Sequence, residues 1–442
     1  MEKQISCSTE LQENYTRFSD ILSKQELNSL FKKYGTEDTR YRKLPIRHFF
    51  WLIILSACEP SVRGNIMTLI GFFLGAITLF PGLSAKVKGK LSKTAVSKRL
   101  NTVSWYLFRG VYNYLLGKYK HLPGAREAQF LGKFKDAFAV DGSIIAVCKQ
   151  LEAVFKSVHK DKSSLKLNTK YSLKLEVLTK LQVSSGRRHD SRFSFVTKEA
   201  EHLYLLDLGY WSFRVMQKII DAGSFFVMRL KGNVNPQIVK TANPEVQHLV
   251  GKRLSDLVKW LKTQTGLKEI DLTVQLSSAK TPRFTEDIRL VGLLHEGEWR
   301  FYVTNIFDFS FTPSFIYELY TLRWQVEIFF NVIKNVLSLQ HIISRNKNGI
   351  MIEIYAALIF HLLTRIIIAL AAQKTSLSIH HFSFERSADL IKGFLLSNIQ
   401  VFFRKSLQAL DELFTALINS VSKMGQRQKP HPVVQFEQQL DP

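Results

Sequence analysis

The chain has 442 residues, 46% apolar and 22% charged, with a formal net charge of +24. That length allows two to three domains around a large core, and that balance argues against wholesale disorder. So positive a chain calls for a polyanionic partner, nucleic acid first and a membrane surface second. Its three cysteines, Cys7, Cys58 and Cys148, lie far apart. They suggest neither a disulfide framework nor a zinc site, and fit a reducing cytosol.

The opening MEKQISCSTELQEN lacks an apolar run and is not read as a signal peptide. Lys24–Lys33 and Pro45–Ala57 have helix-length apolar patterns, and Glu59-Pro60 breaks the second. The longest apolar runs are Ile66–Phe80 and Ile350–Leu370, the latter interrupted by Glu353, His361 and Arg365. Both fall short of an uninterrupted span of about 20 residues, so buried helices are predicted and no membrane partner. Pro81-Gly82 is a further break, followed by a basic run with Lys86, Lys88, Lys90, Lys93, Lys98 and Arg99. Within it, Ser92–Leu100 opens on a Ser suited to capping a helix. That helix could lay Lys93, Ser97 and Lys98 against phosphates; a solvated basic helix reads the same way. Trp105–Leu116 continues as an aromatic-rich packing helix.

At Ala137–Val147 the period changes to that of a strand, which runs into Asp141-Gly142-Ser143. An Asp at the end of a strand is well placed to bind a metal, although Asp-Gly is also hairpin-turn sequence. Thr169–Leu181 alternates as one long strand, a polar loop holds Arg187–Arg192, and Arg192–Val196 is predicted as a third strand of an antiparallel meander. Leu203–Leu206 is a short buried strand ending at Asp207, Phe213–Ala222 a helix and Ser224–Leu230 a strand. In such a unit the acid stands where open α/β sheets place their sites. Residues 233–300 read as a β-rich insertion with a helix at Arg253–Thr263 and strands at Ile270–Leu276, Asp287–His295 and Glu298–Asn305.

Tyr320–Lys334, YTLRWQVEIFFNVIK, then separates charge from apolar bulk. At 100° per residue, Tyr320, Arg323, Glu327 and Lys334 fall within roughly 60° of each other, opposite Leu322, Val326, Phe329 and Ile333. Read alone, this is a solvated face with Arg-Glu and Glu-Lys contacts. A long apolar helix (Gly349–Gln373), two or three amphipathic helices in Phe382–Met424 and a Gln- and Pro-rich tail that frays complete the chain.

Tyr-x2-Arg-x3-Glu-x6-Lys resembles the Tyr-Arg-Glu-Lys signature of the DDE transposases of bacterial insertion sequences, insertion sequence 4 family, at all four residues. Asp141 and the Asp207-x-Gly-Tyr piece resemble the regions of that family's two aspartates. The resemblance implies an α/β protein with a ribonuclease-H-like core, a mixed sheet flanked by helices. The segments are then a helical DNA-binding region (1–130), the core's first part (131–232), the insertion (233–300), the core's second part (301–373) and a helical C-terminal region (374–442) that could dimerise.

It implies a transposase that binds the terminal inverted repeats of its element and cuts and transfers strands, with Asp141, Asp207 and Glu327 as catalytic metal ligands. Phosphodiester transfer is served by two metal ions about 3.5–4 Å apart. Mg²⁺, with Mn²⁺ as substitute, suits such oxygen ligands. On the family's pattern Asp141 bridges the ions and each remaining acid holds one. Tyr320, Arg323 and Lys334 contact DNA by the same resemblance, and Lys93, Lys98 and Arg99 are further candidates. The implied partners are double-stranded element and target DNA and a second copy of the chain, in a bacterial cytoplasm on the nucleoid. An inactive DNA-binding relative of the same fold and another ribonuclease-H-like metal nuclease stay open as alternatives. Trp211 and Trp324 are candidates to stack on a flipped base, though a Trp in such a place is more often core.

Overall fold

A computed structural model describes residues 21, 24–34, 44–57, 59–62, 65–78, 91–123, 133–159, 162–264, 266–276, 284, 286–398 and 407–438. Cys7, Cys58, Pro81-Gly82 and Lys86–Lys90 lie outside them. The chain divides into two compact units. The first holds Met1–Glu127, Ile145–Ser164 and Phe330–His431; the second holds Ala128–Ile144, Leu165–Phe329 and Pro432–Pro442.

The strands are β1 (Asp136–Val147), β2 (Ser163–Ser172), β3 (Val177–Ser185), β4 (His202–Leu206), β5 (Phe225–Arg229), β6 (Gln237–Thr241), β7 (Glu269–Gln275), β8 (Asp287–His295) and β9 (Glu298–Thr304). They form one sheet in the order β3-β2-β1-β4-β5-β9-β8-β7-β6. The helices are α1 (Lys24–Lys33), α2 (Ile46–Ser56), α3 (Ile66–Thr78), α4 (Lys93–Thr102), α5 (Trp105–Tyr119), α6 (Phe213–Asp221), α7 (Leu254–Leu261), α8 (Pro313–Thr321), α9 (Gln325–Asn331), α10 (Lys347–Thr375), α11 (Phe384–Ser397), α12 (Leu407–Met424) and α13 (Pro432–Gln438).

β1, β4 and β5 run parallel to one another, and β2 and β3 are antiparallel. Leu173 N–H donates to the Ala137 carbonyl and the Thr169 hydroxyl to the Asp141 carbonyl, so β2 runs antiparallel to β1 as well. Three antiparallel strands continued by two parallel ones make the ribonuclease-H-like arrangement the sequence implied. β4 reads HLYLL and is buried throughout, the near-continuous apolar pattern of a strand covered on both faces. One side of the sheet is filled by Phe138, Val140, Tyr204, Leu206 and Phe226 against Met216 and Ile219 of α6.

The β-rich insertion adds to this sheet: β9 pairs antiparallel with β5 and crosses the expected boundary at residue 300. β8 and β9 are joined through Glu296 (φ 52°) and Gly297 (φ 82°), two left-handed residues that match a tight hairpin to the strands' twist.

Two strand predictions are corrected. Thr169–Leu181 is not one strand but the two arms of a hairpin: β2 ends at Ser172, Glu176 turns at φ 50°, and β3 starts at Val177. The alternation misled because residues on both sides of it are buried, Lys170, Ser172 and Glu176 as well as Leu173 and Val177. Arg192–Val196 forms no strand; a 3₁₀ turn at Asp190–Arg192 precedes it, and Phe193 and Phe195 are buried as loop side chains. The tail also differs from expectation, since Pro432 opens α13 and Val433 is buried.

The first unit is organised around α10, which contacts α2, α4, α5, α11 and α12. α10 is long and apolar enough to cross a membrane, yet all of its apolar window is buried. Its buried Glu353 is satisfied by the N–H groups of Ile343 and Ser344 at 3.1 and 2.8 Å. His361 stacks on Phe384 at 4.6 Å, with Arg365 over the same ring. α3 is only half covered: Leu69, Ile70 and Phe73 are buried, whereas Met67 is 59% exposed, so the fully buried helix expected at Ile66–Phe80 is not found.

Candidate active site

Register brings the two aspartates together. Val140 of β1 pairs with Leu206 of β4, and the next residue on each strand is Asp141 and Asp207. Both acids therefore stand at one level where the β1–β4 pairing stops: Asp207 follows the end of β4, whereas Asp141, expected at a strand end, lies in the middle of β1. Beyond this point β1 continues along β2, where the Thr169 hydroxyl holds the Asp141 carbonyl at 3.2 Å.

Glu327 arrives on α9. The expected helix Tyr320–Lys334 is one helical path with three windings: α8 ends at Thr321, Leu322–Trp324 is 3₁₀, α9 is α-helical and Val332–Val336 is a π turn. Overwinding before Glu327 and underwinding after it are opposite in sign, so the phase drift they introduce partly cancels. Val326 and Phe329 are buried, and Phe329 packs on Tyr171 of β2 at 5.0 Å. That seats α9 on the sheet with Glu327 facing outward from its apolar side.

Arg323 joins the acids. Its guanidinium lies 2.8 Å from Glu327 Oε1 and 3.6 Å from Asp141 Oδ2. The Asp141 and Glu327 side chains are 20% and 31% exposed, so the corner remains open to solvent. Burial pushes the Asp141 carboxyl up to about 6. The Gly142 N–H, donating at 2.7 Å, and Arg323 oppose that rise; the charges of Asp207 and Glu327 add to it.

All three donors are carboxylates, hard oxygen ligands of the kind that hold Mg²⁺ or Mn²⁺. Three carboxylates stand here with one guanidinium between two of them, so a divalent cation fits this donor set.

Tyr320 is half-buried. Its hydroxyl reaches the Leu206 carbonyl at 3.4 Å, its ring lies 5.0 Å from Tyr302, and burial pushes its phenol up to about 12. It thus braces the end of β4 just before Asp207. Lys334 lies in the π turn, in the first unit, half-buried and with its pKa lowered by burial. Lys93 and Lys98 are exposed on α4, whose Ser92 cap accepts from the Ala95 N–H at 3.2 Å. Arg99 instead spends its guanidinium on the Leu44 carbonyl. Trp324 is 57% exposed, beside Ile328 at 41%, while Trp211 is half-buried against the sheet core.

Sequence reading missed Asp190. It is ion-paired with Lys166 at 2.6 Å and sits against the residues that follow Asp141 and Asp207. A methyl group at Gly142 would lie 2.8 Å from Asp190 Oδ1, and one at Gly209 would lie 3.1 Å from Oδ2. Beside it, both polar atoms of buried Asn168 and the Tyr210 hydroxyl lack hydrogen-bond partners among the described residues. Burial, then the charges of Asp190, Asp141 and Asp207, hold the Tyr210 phenol far above its ordinary value. The available signal was a glycine one or two residues after each aspartate, where another group approaches closely.

Residues 132–363, just over half of the chain, match the transposase DDE domain family. Among curated proteins, the probable transposase for insertion sequence element IS5377 of Geobacillus stearothermophilus is 25% identical over 249 residues, covering 56% of this chain and 60% of the relative. The transposase for insertion sequence element IS231F of Bacillus thuringiensis subsp. israelensis is 23% identical over 312 residues, covering 61% and 64%. The match therefore spans less than two thirds of either relative's own length. A solved piggyBac transposase synaptic complex with hairpin DNA aligns over 89% of this chain and 81% of its own, at 10% identity and a TM-score of 0.41.

Proposed function

Because the chain belongs to the transposase DDE domain family, we propose that it is a DNA transposase that binds the terminal inverted repeats of its element and cuts and transfers their strands. The observation that carries this reading is the convergence of Asp141, Asp207 and Glu327 from two adjacent parallel strands, at the level where their pairing stops, and a helix. Asp141, Asp207 and Glu327 would hold two Mg²⁺ ions. When bound, such ions make the attacking water or 3′-hydroxyl more acidic and stabilise charge on the leaving oxygen.

The remaining roles belong to the chain itself. Tyr320 and the Lys166–Asp190 pair fix the loops that carry the two aspartates. Arg323 offsets the charge of Asp141 and Glu327, and is the cation within reach of a scissile phosphate. Lys334, Lys93 and Lys98 hold more distant phosphates, contacts that position DNA without reading its sequence. Trp324, exposed next to Arg323, is the aromatic best placed to stack on an unpaired base, and two copies of the chain act on paired ends. The helical first unit supplies DNA binding, and the chain works on DNA in the bacterial cytoplasm.

The deciding experiment is cleavage of a labelled element end by wild type and by Glu327→Gln, with Mg²⁺ or Ca²⁺. Mg²⁺-dependent nicking that vanishes in the variant while end binding persists is the expected result. Nicking by both proteins would remove Glu327 from the chemistry.

A further inference from the structure

The β1–β4 pairing stops at Val140 and Leu206. One residue further on, no ladder among the described residues sets the distance between Asp141 and Asp207. Each acid is braced on its own side. The Thr169 hydroxyl donates to the Asp141 carbonyl at 3.2 Å, and the Tyr210 N–H donates to the Asp207 carbonyl at 3.0 Å. Two like charges on separate braces repel one another, and a part that touches both segments resists that.

Asp190 touches both. Its Oδ1 stands against Gly142 and its Oδ2 against Gly209, where added methyl groups would lie 2.8 and 3.1 Å from those oxygens. Both distances are shorter than ordinary van der Waals contact. With glycine at the two positions, the carboxylate rests directly on the backbone behind each acid.

The carboxylate is held there from several sides. Lys166 Nζ pairs with Oδ1 at 2.6 Å, the two side chains being 12% and 23% exposed. The Phe193 N–H donates to the Asp190 carbonyl at 2.9 Å. Asn168, 1% exposed on β2, closes in on Gly142 from the sheet, its Oδ1 2.9 Å from the same added methyl. The turn at Asp190–Arg192 packs on the turn at Leu208–Tyr210, and the Tyr210 ring meets Phe195 edge-on at 5.6 Å. The charge of Asp190 is spent on Lys166, so the residue acts through Asp141 and Asp207 and not as a further ligand.

Separation matters because divalent cations tolerate different cages. Mg²⁺ demands a near-ideal octahedron of oxygens at about 2.0–2.1 Å, whereas Ca²⁺ takes about six to eight oxygens at about 2.3–2.6 Å in flexible geometry. We propose that Asp190 is a positioning residue that fixes the separation of Asp141 and Asp207 and so makes their site select Mg²⁺ over Ca²⁺. The proposal rests on the reading of those two acids as metal ligands.

The test is metal binding by the full chain, read by the electron paramagnetic resonance of Mn²⁺ as Mg²⁺ or Ca²⁺ displaces it. Asp141→Asn identifies the Mn²⁺ that belongs to the site. Two double variants are compared, Lys166→Met with Asp190→Ala and Lys166→Met with Asp190→Asn. Neither strands a charge, and they differ in whether residue 190 still reaches both glycines. The alanine form is expected to bind Mg²⁺ about tenfold more weakly than wild type, the scale on which groups behind metal ligands act. Its loss for Ca²⁺ should be smaller, so that its preference for Mg²⁺ falls. The asparagine form should keep the wild-type preference. Asp190→Ser with Lys166→Met replaces the alanine form if thermal melting shows that the latter does not fold.

A wild-type preference in the alanine form overturns the proposal. So does an equal shift in both forms, which would trace the effect to the ion pair rather than to the spacing. Site Mn²⁺ lost from both forms as completely as from Asp141→Asn would make Asp190 a ligand and overturn it too. The expected metal preferences without Mg²⁺-dependent nicking by wild type would sink the transposase reading alone. Nicking that depends on Glu327, with a wild-type preference in the alanine form, would sink this one alone.

Discussion

Arg289 and Arg323 both face carboxylates in the second unit, and they differ in how completely they are used. Arg289 is 1% exposed and spends all five of its N–H groups: Nε and one Nη bond Asp271 at 2.9 and 2.6 Å, and three more go to the carbonyls of Ile306, Asp308 and Phe311. Arg323 bonds Glu327 at 2.8 Å, stands off at 3.6 Å from Asp141, and leaves its buried Nε without a partner among the described residues. A guanidinium with a closed inventory is a fastener between β7, β8 and the loop beyond β9. One with an open inventory keeps donors for something that arrives later.

The contrast can be broken most directly by removing each arginine. Arg289→Leu strands the Asp271 charge and should cost about 3–5 kcal/mol in urea unfolding. Arg323→Leu should change stability by about 1 kcal/mol or less while lowering the cleavage rate about 100-fold. Equal losses of stability in the two variants would erase the distinction.

Gly142→Ala probes the crowding behind the acids. The added methyl would lie 2.8 Å from Asp190 and 2.9 Å from Asn168, and should cost about 1–3 kcal/mol. Asp190→Ala should relieve part of that loss in the double variant, because residues in contact do not add. A strictly additive pair would mean that Asp190 does not press on the Asp141 loop.

A pH-dependent effect comes from a buried acid outside the site. Burial raises the Asp136 carboxyl from 3.8 to about 6, against bonds from the Ser172 hydroxyl and the Lys174 N–H. With the folded value above the unfolded one, its contribution to stability is complete below about pH 4 and lost as the pH climbs to about 6. Asp136→Asn should flatten stability across that window, a change of about 3 kcal/mol at most. A wild-type curve already flat there would refute the assignment.

The candidate acids were easier to pick out in the sequence than the strands of the sheet. Asp207 was legible because it follows a short apolar strand, Asp141 because the apolar half of β1 gives way to polar residues there although the strand itself runs on to Val147, and Glu327 because Tyr320, Arg323 and Lys334 share its helical face. The meander was less so. Tyr171, Leu173, Leu175 and Val177 keep a strand's alternation straight through a turn, and only the left-handed Glu176 divides it. Phe193 and Phe195 are buried without a ladder, and apolar alternation does not separate that case from a strand. Asp190 was invisible for another reason: its importance lies in the space beside Gly142 and Gly209, which exists only once three loops have met. Arg99 looked like a DNA contact because charge is visible in a sequence and the Leu44 carbonyl that engages it is not.

The burial of α10 also bears on how the protein is made. α5 ends at Tyr119 and α10 begins at Lys347, so a ribosome emits the N-terminal helices long before the helix they surround. Phe49, Phe50, Leu52 and Ile53 of α2, each fully covered in the finished fold, stay without that partner while the whole sheet is synthesised. Chains with transiently uncovered apolar surface aggregate readily. A product truncated before α10 is therefore expected to be more prone to aggregation than the full chain, which a solubility comparison of the two would check.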